Sequence, residues 1–370
     1  MHIITIVGAR PQFIKAAALS KEFSNHQIIK EEILHTGQHY EKEMSEMFFR
    51  DLNIPKPFIN LGIGGGTHGQ NTGRMIEKIE EVLIKKKPNG ILVFGDTDST
   101  LAGSLSASKL KIPIFHVESG LRSFNRHQPE EQNRKITDHL SDLCFAPTKA
   151  SILNLEKEGI EKSRIIETGD IMADTIRIFG SKKKKDIEFL NSNTIESKNF
   201  ILITIHRPEN TDNYLKLKNI LDALGSFKKR IFEIDKNFKI IFPMHPRTKA
   251  KIKDYELEEY LSNFEVLSPQ GFLEMNIFER EAKLIITDSG GIQKEAYLHK
   301  TPCVTIRDET EWVELVESKW NYLVKANNKK DIINAIDNQI KFNINSLHEN
   351  FYGDGYSASK IVRKITEFLI

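Results

Sequence analysis

The chain has 370 residues, 39% of them apolar, and its 53 basic and 51 acidic residues nearly cancel. That length exceeds one ordinary core and suits two domains. With no basic block interleaved with aromatics and no apolar run of about 18 residues, neither nucleic acid nor a membrane is an expected partner, and a soluble, cytoplasmic protein is expected.

Short apolar runs alternate with helical patterns along the chain. In the first half, strands are expected at His2–Val7, Ile28–Leu34, Gly90–Phe94, Ile114–Val117 and Leu143–Ala146. Helices are expected at Pro11–Phe23, Glu41–Leu52, Gln70–Lys86, Ser99–Leu110, Glu130–Leu140 and Lys149–Lys157. The second half repeats the style, with strands at Phe200–Ile205, Lys239–Pro243, Glu265–Leu267, Leu284–Thr287, Cys303–Ile306 and Tyr322–Val324. Alternation of this kind predicts an α/β fold of parallel, doubly wound sheets. The lysine-rich stretch around Lys182-Lys183-Lys184-Lys185 breaks the pattern and reads as a solvated linker. The expected division is therefore residues 1–180, a linker at 181–197, and 198–355. The terminal helix, 356–370, is expected to return to the first domain after Gly353-Asp354-Gly355. Two such Rossmann-like domains facing each other would leave a cleft at the carboxyl ends of their strands, where ligands bind.

Candidate residues fall at those strand ends. After the first strand comes Gly8-Ala9-Arg10-Pro11, with Arg10 and Lys15 near a helix start and suited to phosphate oxygens. Gly95-Asp96-Thr97-Asp98-Ser99 and His116-Val117-Glu118-Ser119-Gly120 follow two successive strands, so Asp96 and Glu118 converge on one crevice. Capping alone would account for Asp98 or Ser99. Pro129-Glu130-Glu131 opens a helix on which Arg134, at i+4, is expected to hold Glu130 ionised. His206 and His245 each end a strand, followed by Arg207-Pro208 and Pro246-Arg247, and suit acid–base work or a phosphate contact.

Thr287-Asp288-Ser289-Gly290-Gly291 runs from a strand straight into a helix. Ser289, Gly290 and Gly291 would present backbone amides to a phosphate, and Glu295 one turn on could accept ribose hydroxyls. The same pattern also serves as a plain tight turn. Gly62–Gly69 lacks the Gly-Lys-Ser/Thr ending of a triphosphate loop. No metal or nicotinamide signature is present, so no cofactor is expected. Cys144 and Cys303 sit in separate apolar strands and read as buried, inert thiols.

Taken together, GARPQFIK (8–15), HTGQHY (35–40), GDTDST (95–100), HVESGLRSF (116–124), PEEQNR (129–134), HRPEN (206–210), HPRT (245–248) and TDSGGIQKEA (287–296) resemble the non-hydrolysing UDP-N-acetylglucosamine 2-epimerases. The resemblance implies the two-domain fold of many nucleotide-sugar glycosyltransferases (GT-B-like). It also implies loss of UDP from C1 with removal of the C2 proton, a 2-acetamidoglucal intermediate, and re-addition with C2 inverted. By resemblance, Asp96, Glu118, Glu130, His206 and Arg134 are catalytic. Arg10, Lys15, Gln270, Ser289, Gly290, Gly291 and Glu295 would bind UDP, with His245 and Arg247 nearby. A homodimer and a role in surface-polysaccharide precursor supply are implied. Gln38, His39, Gln70 and Arg207, with His245, match a second UDP-sugar site that activates some relatives.

Two departures stand out. Many relatives carry Thr-Arg-Pro-Glu where this chain has Ala9-Arg10-Pro11-Gln12, and Trp312 stands where many have an arginine. Both features resemble the branch acting on UDP-2,3-diacetamido-2,3-dideoxy-glucuronic acid. A glycosyltransferase or hydrolysing epimerase of the same fold, or a nucleotide-sugar binding protein, are the competing readings.

Overall fold

A computed structural model describes residues 1–38, 52, 54–180, 183–342 and 350–370; the side chains of Arg10 and of residues 183–185 are not part of the description. The helix expected at Glu41–Leu52, apart from its last residue, and His39 lie outside the described residues. The chain divides into two units, Met1–Phe179 with Asn350–Ile370, and Gly180–Glu349.

In the first unit seven parallel strands form one sheet. They are β1 (His2–Val7), β2 (Lys30–His35), β3 (Ile59–Asn60), β4 (Gly90–Phe94), β5 (Ile114–Val117), β6 (Leu143–Ala146) and β7 (Ile165–Glu167), in the order β3-β2-β1-β4-β5-β6-β7. Helices cover both faces, so the central strands are continuous apolar runs: every residue of Gly90-Ile91-Leu92-Val93-Phe94 is buried. The second unit holds β8 (Phe200–Thr204), β9 (Lys239–Pro243), β10 (Glu265–Leu267), β11 (Leu284–Thr287), β12 (Cys303–Ile306) and β13 (Asn321–Val324). Their order is β10-β9-β8-β11-β12-β13. In each sheet the winding direction reverses once, between β1 and β4 and between β8 and β11. That reversal opens a crevice beyond the strands' carboxyl ends.

Three local differences from the sequence reading have physical causes. β2 starts at Lys30 rather than Ile28, because its register with β1 begins at His2↔Lys30 and the Ile28 carbonyl instead accepts from the chain's amino terminus. β3 and β7 are two- and three-residue edge strands, too short to show a run. The stretch 181–197 is not a bare linker. It contains the helix Lys183–Ser192, and Leu190 and Ile195 pack with Phe200 and Phe278 in the core of the second unit. Asp186 accepts from Arg280 Nη2 at 2.9 Å. The lysines hid two apolar anchors.

The terminal helix Ser357–Leu369 packs in the first unit, where Ile361, Val362 and Ile365 are wholly buried. Its start is fixed by Asp174, on the helix Ile171–Phe179, whose carboxylate accepts from the Ser357 and Ala358 amides, both at 2.9 Å. Such a cap contributes about 1 kcal/mol. Burying three branched side chains contributes about 1.5–3 kcal/mol each, so burial holds the helix and the cap fixes where it starts.

Candidate functional site

At the reversal in the first unit, the loop after β1 meets the loop after β4. Gly8 lies so close to Ser99 and Thr36 that an added Cβ would collide with both hydroxyls. Gln12 ties the two loops together. Its Oε1 accepts from the Gly8 and Ala9 amides at 2.8 and 3.1 Å, and its Nε2 donates to the Phe94 carbonyl at 2.9 Å. The departure Gln12 is thus a buried clamp rather than a ligand-facing residue.

Asp96 follows β4 and Glu118 follows β5. These strands are direct neighbours, with Phe94 paired to Val117. Glu118 has φ +68°, a left-handed conformation rare for a residue with a long side chain. A Cβ on Gly95 would stand 3.3 Å from Glu118 Oε2. Two cations serve the two acids. Arg134 donates through Nη2 to Asp96 Oδ2 at 2.5 Å, and Lys15 is ion-paired with Glu118. Arg134 also donates through Nη1 to Glu131 Oε2 at 2.7 Å. The expected Arg134–Glu130 pair is therefore not formed; the i+3 partner Glu131 points inward while Glu130 is half-buried at the helix start. Glu131 further accepts from the Ser123 and Phe124 amides at 2.8 and 3.2 Å. Burial pushes the Asp96 carboxyl above the usual range; the Arg134 charge opposes this and the Glu118 charge adds to it. For Glu131, burial is outweighed by the Ser123 amide and Arg134, which hold it below its ordinary value.

In the second unit the reversal brings together the loops after β8 and β11. Asp288, fully buried, organises the first of these. It accepts from the His206 amide at 3.0 Å, the Arg207 amide at 3.0 Å and Asn210 Nδ2 at 3.1 Å, and lies 3.2 Å from His206 Nδ1. Burial acts against ionisation of Asp288, but the His206 ring and these donors hold it below the usual carboxylate range. The His206 ring, 39% exposed, lies 5.6 Å from that of His245. His245 Nδ1 accepts from the Arg247 amide at 3.2 Å and caps the helix Pro246–Asp254.

The helix Gly290–Leu298 starts directly after Ser289, whose side chain makes no cap. A Cβ on Gly290 would stand 3.7 Å from Arg207 Nη2, 3.8 Å from Arg307 Nη1 and 3.9 Å from Glu311 Oε2. A helix amino terminus flanked by two guanidiniums is an anion seat. Arg307 is held by Glu311 through two bonds of 2.9 and 3.2 Å. Trp312 does not vacate the region as a missing cation would. Its Nε1 donates to the Gly290 carbonyl at 2.9 Å, and the Lys294 ammonium lies 4.3 Å from its ring centroid. Arg307, five residues earlier, lies beside Gly290 with its charge paired to Glu311.

The residues picked from sequence therefore fall into two groups. Asp96, Glu118, Arg134 and Lys15 meet at the first reversal, with Arg10 at the start of the adjoining helix. His206, Arg207, Ser289, Gly290 and Gly291 lie at the second, with Glu295 on the same helix and its Oε1 3.7 Å from where a Cβ on Gly291 would stand. Lys15, expected at phosphate, is ion-paired with Glu118. Arg247 pairs with Asp212, and Gln270 donates to the Ser268 carbonyl at 2.8 Å. Gln38 accepts from the Ser99 amide, 61 positions away, at 3.1 Å, and Gln70 accepts from the Thr67 amide at 3.2 Å in a local capping box.

Sequence reasoning missed Asp288, Glu131 and Arg307. The helix Pro129–Leu140 carried a usable signal: all five of its buried residues, Glu131, Asn133, Arg134, Thr137 and Asp138, are polar. Among the described residues no cluster of metal-ligating groups occurs, and no helix is long and apolar enough to cross a membrane. Burial pushes both thiols, Cys144 and Cys303, up to about 12. A cavity of about 590 Å³ beside Lys228, Lys239 and Glu265 opens at the amino ends of β9 and β10, at the opposite end of that sheet from the loops after β8 and β11.

The family model described as UDP-N-acetylglucosamine 2-epimerase matches residues 21–366. A Methanococcus maripaludis UDP-N-acetylglucosamine 2-epimerase homolog is 50% identical over 98% of both chains. The UDP-2,3-diacetamido-2,3-dideoxy-D-glucuronate 2-epimerase of Pseudomonas aeruginosa is 44% identical over 100% of this chain and 99% of its own. The crystal structure of Methanocaldococcus jannaschii UDP-GlcNAc 2-epimerase in complex with UDP-GlcNAc and UDP superposes with a TM-score of 0.87 at 43% identity, covering 99% of this chain and 100% of that one.

Proposed function

Because the chain belongs to the UDP-N-acetylglucosamine 2-epimerase family, and is thus a sugar epimerase, we propose that it interconverts UDP-N-acetylglucosamine and UDP-N-acetylmannosamine without hydrolysis. UDP leaves C1 as the C2 proton is removed; UDP then returns to the 2-acetamidoglucal and a proton is delivered to the opposite face of C2. The observation that carries this reading is the pair of carboxylates, Asp96 and Glu118, each with its own buried cation at one strand reversal. Placing like charges together costs free energy, and acid–base chemistry makes use of it. A carboxyl moved upward, as Asp96 is, takes and returns a proton near neutral pH better than an ordinary one.

The second unit seats the uridine diphosphate in this proposal. The Gly290 and Gly291 amides with Arg207 and Arg307 would receive the phosphates, and Glu295 the ribose. His206, oriented through Nδ1 by Asp288, keeps Nε2 for the departing phosphate. Fixed donors aimed at developing charge contribute on the order of 3–4 kcal/mol. Cytoplasmic location, a homodimer and a role in polysaccharide precursor supply belong to the same reading and rest on family resemblance; sizing in solution tests the dimer.

The test is incubation with UDP-N-acetylglucosamine in deuterated water, with NMR of C2. Deuterium at C2 of an intact nucleotide sugar supports the proposal, and release of free sugar rejects the non-hydrolysing course. A second substrate deserves the same assay. Trp312 and the 44% identity to the Pseudomonas aeruginosa enzyme favour UDP-2,3-diacetamido-2,3-dideoxy-glucuronate. Exchange with that sugar alone would replace the first assignment, and exchange with neither would reject both.

A further inference from the structure

We propose that His116 and Asp138 form a buried brace that holds the backbone just before Asp96 and just after Glu118, and so act as positioning residues for proton transfer at C2. Both side chains are wholly buried. His116 Nδ1 faces Asp138 Oδ1 at 2.7 Å and its Nε2 faces the Gly95 carbonyl at 2.8 Å. Gly95 immediately precedes Asp96. The other bonds to Asp138 reach the loop after Glu118: Ser119 Oγ donates to Oδ1 at 2.6 Å and the Gly120 amide to Oδ2 at 3.1 Å. Arg122 Nη2 lies 2.8 Å from Oδ2 and is shared with Glu158.

One carboxylate thus reaches the residue before Asp96 and the two residues after Glu118. The helix that carries it also carries Arg134, one turn earlier, which binds Asp96 directly. A single rigid element fixes both acids.

The brace answers a specific need. Glu118, at φ +68°, is followed closely by Gly120 at φ +80°. A non-glycine residue persists in that conformation only where its surroundings over-determine it. The Ser119 amide bonded to the Phe145 carbonyl at 3.1 Å, with the two bonds to Asp138, does so. Without them Glu118 relaxes toward ordinary backbone angles and its carboxylate leaves the position that Lys15 marks. A displacement of about 1 Å can cost about 100-fold in rate.

Hydrogen bonding makes the test sharp. Asp138 Oδ1 and the Gly95 carbonyl both face the His116 ring within hydrogen-bond distance. In Asp138→Asn the amide NH2 can take the place of Oδ1, donating to His116 Nδ1 and to Ser119 Oγ. The remaining oxygen still accepts from the Gly120 amide and Arg122. The bracing contacts survive with their donors reversed. Asp138→Ala removes them.

The inference rests on the epimerase reading, so the parent protein is assayed first for C2 deuterium incorporation; absence of exchange there rejects that reading itself. With exchange established, Asp138→Ala should lower kcat by about 100-fold, leave UDP affinity within threefold, and be restored to within tenfold of the parent by Asn. Ser119→Ala, which loses one bond and keeps the rest, should lower kcat three- to tenfold and serves if Asp138→Ala does not fold. Full kcat in Asp138→Ala or Ser119→Ala overturns the proposal. So does an Asn variant as poor as Ala, because charge rather than bracing would then be at work. A rise in KM at constant kcat overturns it as well.

Discussion

Arg134→Met cuts the one side chain that joins Asp96 to Glu131. Arg134 is 8% exposed on its side chain and Glu131 1%, so their 2.7 Å pair is not screened as a surface pair would be, whereas Asp96, 31% exposed and bonded at 2.5 Å, is partly screened. An arginine beside a carboxylate lowers its pKa by about 1–3 units, or about 1.4–4 kcal/mol at roughly 1.36 kcal/mol per unit. Asp96 already lies above the ordinary range because it is desolvated beside Glu118. Loss of Arg134 moves it further up by that amount. The assay is the pH dependence of C2 deuterium incorporation. The limb governed by Asp96 shifts to higher pH by about 1–3 units, and it does so whether Asp96 must be ionised as base or protonated as acid. Stability changes with a definite sign. A carboxyl whose folded pKa is raised contributes stability in full below its unfolded value, and that contribution is lost as pH rises through the folded pKa. The variant's deficit, about 3–5 kcal/mol for breaking a buried pair, should therefore widen between pH 4 and neutrality in urea titrations. A superimposable pH–rate profile, or a deficit that shrinks toward neutral pH, would refute the reasoning.

Asp288→Asn should flatten acid denaturation of the second unit. The folded pKa of Asp288 is depressed, so its contribution is present above the ordinary carboxylate range and lost as pH falls through the folded value; an unchanged acid limb would count against the His206 anchor. Trp312→Phe removes one bond to the Gly290 carbonyl and should weaken UDP binding by about 0.5–1.5 kcal/mol, read by calorimetry; equal affinity would show that the carbonyl needs no support. Glu295→Ala should weaken UDP binding, read by calorimetry, and an unaltered dissociation constant would reject the ribose assignment. Gln12→Ala strands the Gly8 and Ala9 amides, while the Phe94 carbonyl keeps its bond from Thr100, and should cost about 1–3 kcal/mol in urea unfolding; a neutral result would mean water replaces the clamp.

The alternating apolar runs determined the two parallel sheets, because a strand covered on both faces must be apolar along its whole length. Gly90–Phe94 and Leu284–Thr287 were legible for that reason. Likewise Asp96, Glu118, His206 and the Ser289–Gly291 turn could be read as strand-end residues from sequence alone. Partners were not legible, because a strand-end residue meets groups from distant segments. Lys15 lies 103 positions from Glu118, and Asp288 lies 82 from His206. Helix spacing offered Arg134 two acids, and only packing of the helix face against Ser123 and Phe124, beyond β5, selected Glu131 for burial and left Glu130 half-buried. Lysines likewise concealed the helix Lys183–Ser192, whose place depends on Leu190 reaching a core built from residues far along the chain. Sequence determined which chemical groups stand at the ends of the strands; tertiary structure decided which charge neutralises which, since that depends on distances through space that no local spacing encodes.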